Sequence, residues 1–167
     1  MTTESDHSIT DAEFERIGWH DNLIYGIAFK TADPDANDWT SDLVLDIDHI
    51  VEWVCGADRS MRFRVAPATL TFHGITDFSI TLDWGASGFG TALQVPSIDR
   101  IERERVTDQK VHLDKPYYRW RITLDSPRDG FLAFGAAGIT QILHTEPTLQ
   151  DKQWIAPAIR RALRARA

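Results

Sequence analysis

Apolar and polar residues alternate along most of this chain, and that period of two constrains its fold more than any other feature. Successive side chains of a strand point to opposite faces, so a one-sided alternating run is a strand with one buried face. "DFSITLDW" is the clearest case: Phe78, Ile80, Leu82 and Trp84 alternate with Asp77, Ser79, Thr81 and Asp83. In "DNLIYGIAFK", Leu23, Tyr25, Ile27 and Phe29 are expected on one face. In "SDLVLDIDHIVEW", Leu43, Leu45, Ile47, His49, Val51 and Trp53 share one face, and Val44, Asp46, Asp48, Ile50 and Glu52 share the other. "MRFRVAP", "ATLTFHG" and "YYRWRITLDS" repeat the pattern. "FLAFGAAGITQILH" reads as one long strand or two joined at a glycine bulge. The charged run "PSIDRIERERV" is ambiguous: Ile98 and Ile101 fit a helix, but its shortness and charge favour a strand.

Turn-rich stretches separate these runs: "TADPDAND", "CGADRS", "GASGFG" and "SPRDG". Short one-sided strands with few helices predict a mainly β fold: a two-sheet antiparallel sandwich or flattened barrel. Residues 11–167 are expected to form one domain, with a disordered polar tail over 1–10. Thr10 caps a first helical turn, with Glu13 three residues on. After Pro147 the pattern turns helical. Pro157 suits a first turn, so a short helix is expected over about 157–166. Ile159 and Leu163 would pack lightly on the sheets or on a second copy, as in a homo-oligomer.

Charge is unevenly placed. Residues 1–60 carry fourteen Asp and Glu against three Lys and Arg, whereas "PAIRRALRARA" carries four arginines and no acid. The net charge of −7 disfavours nucleic acid, whose phosphates it repels. Tyr117, Arg119 and Arg121 share a strand face that suits stacked bases, but the overall acidity argues against that use. The single cysteine, Cys55, excludes an internal disulfide and fits a reducing compartment. With no long apolar run and no basic leader before an apolar stretch, a cytoplasmic protein away from membranes is expected.

The acids of "SDLVLDIDHIVEW" invite a metal or acid–base reading. Alternation splits them: Asp46 and Asp48 point one way and His49 the other. Two carboxylates at i and i+2 lie roughly 6.5–7 Å apart along a strand, and a hard cation would need further oxygens. No metal and no cofactor are therefore expected here. Asp46, Asp48 and Glu52 read instead as a solvent-facing acidic surface that suits a basic protein partner. His49 reads as a histidine at the edge of the core. In "GWHDNL", His20 and Asp21 open a strand, and Asp21 or Asn22 is expected to tie down its entry. His73 is expected exposed in a turn. "GASGFG" lacks the lysine and following helix that a phosphate loop needs.

Five segments carry a resemblance: "WHDNLIYGIAF", "SDLVLDIDHIVEW", "VAPATLTFHGITD", "SIDRIERERV" and "YYRWRITLDSPRDGFLAFGAAGITQIL". In this order they resemble a group of small uncharacterised bacterial proteins, over about residues 14 to 150. The resemblance implies a bacterial origin and supplies no activity to carry over. The expected function is a non-catalytic binding or protein-interaction domain with an acidic recognition surface. One alternative is a small-ligand binder or enzyme with a cavity lined by His49, Trp53 and other aromatic residues, with His20 and Asp21 as further candidate ligand-binding residues. Another, by looser likeness, is a toxin-immunity-like protein.

Overall fold

A computed structural model describes residues 7–85, 94–108 and 115–164. The fold is mainly β, as the alternation predicts. In chain order the elements are β1 (His7–Ser8), α1 (Asp11–Phe14), β2 (Leu23–Lys30), β3 (Asp42–Cys55), β4 (Met61–His73) and β5 (Thr76–Thr81). There follow β6 (Ser97–Arg105), β7 (Tyr118–Ser126), β8 (Phe131–Ala136), β9 (Gly138–Leu143), β10 (Thr148–Gln150) and α2 (Pro157–Arg164). All ten strands join one antiparallel sheet in the order β1-β9-β4-β3-β2-β6-β7-β8-β5, with β10 also on β4. The sheet is not closed.

The sheet folds over on itself. Phe72 of β4 packs its ring 5.1 Å from Trp120 of β7 and 4.9 Å from Phe134 of β8, although β4 neighbours neither strand. The corner lies at β2 and β6, whose ladder reduces to Leu23 opposite Ser97. The core between the halves holds Leu43, Leu45, Ile47, Leu70, Phe72 and Ile122, all fully buried. β8 and β9 follow each other in sequence but belong to opposite halves, so the chain crosses over at Ala137. α1 plugs the core with Phe14, edge-on to Trp120 at 5.4 Å, and Arg103 lies over the Phe14 ring at 4.3 Å.

Strict alternation fails at bulges, and those in β2 and β3 move residues singled out in the sequence. In β2, Ile24 pairs with Ile47 and Gly26 with Asp46, so Tyr25 is an extra residue. The inner row is Ile24 and Ile27, and Tyr25 turns to the outer face. In β3, Ile50 pairs with Val65 and Glu52 with Arg64, so Val51 is extra. A bulge adds one residue and reverses the parity beyond it. Trp53 therefore shares the outer face with Asp46, Asp48 and Ile50, while Glu52 lies on the face of His49. The expected grouping of Glu52 with the aspartates, and of Trp53 with His49, is corrected.

Two further expectations change. His7 and Ser8 pair with β9, Ile9 is buried, and Thr10 completes a capping box with Glu13. The disordered tail thus does not extend over 7–10, and residues 1–6 lie outside the described residues. The row Phe78, Ile80, Leu82 and Trp84 was expected buried, yet Ile80 is 41 % exposed, because β5 is the sheet's last strand. Of "GASGFG", residues 86–90 lie outside the described residues.

Candidate functional site

The acidic face of β3 is occupied by the chain's own end. Asp48 is fully buried. Its Oδ2 accepts the Ile155 N–H at 2.9 Å, and its Oδ1 lies 3.1 Å from Arg160 Nε. That N–H is not aligned on the oxygen, so the contact is an ion pair without a hydrogen bond. Arg160 Nη2 donates to Asp46 Oδ1 at 2.5 Å and to the Ile47 carbonyl at 3.1 Å. The guanidinium lies 4.2 Å from the Tyr25 ring centroid, a cation–π contact. Burial holds the Asp48 carboxyl above its ordinary range, against the Ile155 N–H and the Arg160 charge. Burial, and then the Asp48 charge and hydrogen bond, push the Tyr25 hydroxyl up.

Asp46 and Asp48 are therefore not a solvent-facing recognition surface; their basic partner is Arg160. Beside them Ile155 joins Ile50, Phe63 and Val65 in a second small core. The terminal helix docks through its arginine, while Ile159, expected to pack, is half exposed. Glu52 is exposed and paired with Arg64 at 2.8 Å.

His49 is buried, its ring centroid 5.5 Å from that of Trp19. Asn22, also buried, fixes its tautomer. Asn22 Oδ1 must face the Ile50 N–H, which it accepts at 2.9 Å. Its Nδ2 then donates to His49 Nδ1 at 3.0 Å, leaving the proton on Nε2. Burial lowers the His49 pKa to about 4, and a second proton on Nδ1 would oppose the amide donor. Asn22 thus ties the β2 entry to β3 through a backbone hydrogen bond, as expected for this segment.

His20 is exposed, with Nε2 3.4 Å from Asp21 and Nδ1 3.4 Å from Asp99. The two carboxylates flank opposite ring edges and do not converge on one point. Asp21 receives the Gln153 amide at 2.5 Å. Trp53 is half exposed and packs edge-on to Phe63 at 5.0 Å. His20, Asp21, His49 and Trp53 thus do not line one cavity. Among the described residues, no three His, Cys, Asp or Glu side chains converge as a metal site.

Sequence reasoning missed a hydrogen-bonded row on the outer face. His73 Nδ1 lies 3.2 Å from Asp42 Oδ2, and its Nε2 lies 3.0 Å from Thr140 Oγ1. The order Asp–His–hydroxyl is that of an activated nucleophile. None of the three, however, is among the described residues that line a cleft on the far side of the Gly74 turn.

That cleft lies where β5, β7 and β8 meet the turn at Gly74, and its volume is about 1050 Å³. Val106 and Ala133 give it apolar walls, backed by the buried Trp120 and Phe134. Thr76, Asp77, Lys115, Tyr117 and Arg119 bring polar groups to it. Local backbone builds the site. Thr76 pairs with Gly135 and Ser79 with Ala133, so β5 bulges by one residue, and Asp77 takes a left-handed φ of 51°. Aspartate tolerates that region better than most residues. Tyr117 is pinned: its hydroxyl donates to the Gly74 carbonyl at 3.0 Å and meets Thr76 Oγ1 at 2.9 Å. Gly135 makes room for it, since a Cβ there would stand 2.8 Å from Tyr117 Cε1 and 2.6 Å from Thr76 Oγ1. Tyr117 and Arg119 stand out in the sequence as an aromatic and cationic strand face. Thr76, Asp77 and Gly135 carry no such signal, because the strand pairing that assembles them is non-local.

The chain finds no match among protein-family models, curated proteins or solved structures. Among the described residues, no helix is long and apolar enough to cross a membrane.

Proposed function

We propose that this protein is a non-catalytic binding domain for a small molecule, with the cleft between β5, β7 and β8 as its site. One observation carries the reading: a concave, largely apolar cleft of about 1050 Å³ with a few convergent polar groups. Ligand sites generally have this composition and a size of about 300–1,000 Å³. The pinned Tyr117 adds a preorganised wall, which lowers the ordering cost of binding. Recognition of a basic protein by Asp46 and Asp48 has less support, since Arg160 already neutralises them inside the fold.

The test is a thermal-shift screen of small aromatic and aliphatic compounds against the wild type and Ala133→Trp. Ala133 is partly exposed, so an indole there fills the cleft without entering the core. Compounds that stabilise the wild type and lose their effect on Ala133→Trp support the reading. A screen without such compounds overturns it.

A further inference from the structure

We propose that the cleft selects an aromatic anion: a planar apolar body carrying a carboxylate, sulfonate or phosphate. This inference rests on the reading of the cleft as a ligand site. Lys115 and Arg119 both line the cleft and both are exposed. Neither forms an ion pair or hydrogen bond with another described residue. Four arginines elsewhere are paired, Arg62 with Asp151, Arg64 with Glu52, Arg103 with Asp11 and Arg160 with Asp46; what sets Lys115 and Arg119 apart is that they share one concavity.

Against Asp77, which also lines the cleft, the two cations leave an excess of positive charge in its lining, within a chain of net charge −7; Glu104 lies opposite Arg119 on β6 but forms no ion pair with it. Apolar walls strengthen the attraction of an anion held there. Asp77 also faces the cleft, and the Thr76 hydroxyl donates to its Oδ2 at 2.9 Å. That bond turns a donor away from any ligand, which leaves anion recognition to Lys115 and Arg119. Tyr117, which is partly exposed, provides the aromatic surface for the planar body.

The probes are anilinonaphthalene sulfonate and phenylnaphthylamine, which share their rings and differ in the sulfonate. Both are titrated by fluorescence against the wild type, Ala133→Trp and the double variant Lys115→Ala/Arg119→Ala. The expected result is sulfonate binding about tenfold tighter than the neutral probe, as one charge-assisted contact supplies. The double variant should lose that advantage while binding the neutral probe as the wild type does. Ala133→Trp should bind neither. Equal affinity for the two probes, or an unchanged double variant, overturns the anion inference; the cleft reading survives if Ala133→Trp still abolishes both. If the wild type binds neither probe, or Ala133→Trp binds both normally, the cleft reading falls and the inference with it.

Discussion

Arg160 Nε lies 3.1 Å from Asp48 Oδ1, with the guanidinium nearly buried and the carboxylate wholly so. This pair joins the basic end of the chain to its acidic first third. Two buried charges stabilise little relative to a well-packed apolar pair, but removing one partner leaves the other stranded.

Asp48→Ala should therefore cost about 3–5 kcal/mol, whereas a solvent-facing aspartate would cost less than about 0.5. Arg160→Ala should cost a similar amount. The double variant Asp48→Leu/Arg160→Met should recover much of the loss, because no unpaired charge remains at Asp48. Urea melts of the four proteins measure this. Additive losses, with no recovery in the double variant, would show that the two side chains do not act as a pair.

Leu45 and Ile80 separate core from edge. Leu45 is fully buried and Ile80 is 41 % exposed. Leu45→Ala should cost about 2–5 kcal/mol through lost transfer energy and a cavity. Ile80→Ala should cost under about 1 kcal/mol, since much of its surface already meets water. Matching losses at both sites would place β5 inside the core.

His49 supplies a pH dependence with a definite sign. Its pKa falls from 6.5 to about 4 in the folded chain, so between those values the unfolded chain binds a proton that the folded chain refuses. Stability then rises with pH. His49 contributes fully above about pH 6.5, and the contribution is lost as pH falls toward 4, at up to about 1.4 kcal/mol per unit and about 3 kcal/mol in total. His49→Gln keeps an acceptor for Asn22 but does not titrate. Between pH 7 and 4.5 the variant should lose less stability than the wild type. Parallel losses would mean that His49 charges freely in the folded state.

Alternation made most of the fold legible. β3, β4 and β7 follow from period two, and the Thr10 cap and the helix at Pro157 from their own end signals; β6, with two register shifts, does not show a clean period. What escaped was non-local. A bulge leaves no mark in composition, so the extra Tyr25 and Val51 stayed hidden and Trp53 was placed on the wrong face. Periodicity also says which residues share a side, but not whether a distant segment covers it. Asp46 and Asp48 alternate as a surface would, yet Ile155 and Arg160 lie over them. The signal was present in part: an acid-rich opening and an arginine-rich end in one chain are complementary. The cleft was least legible, because bulged β5, pinned Tyr117 and bare Gly135 meet only through strand pairing.

The most direct test of the cleft as a ligand site is an amide chemical-shift map during titration with anilinonaphthalene sulfonate. Saturable shifts should centre on Thr76, Tyr117, Arg119, Ala133 and Gly135, and leave Asp46, Asp48 and Arg160 unmoved. Shifts centred on the Asp46–Arg160 face, or none at the β5–β7–β8 cleft, would contradict the account.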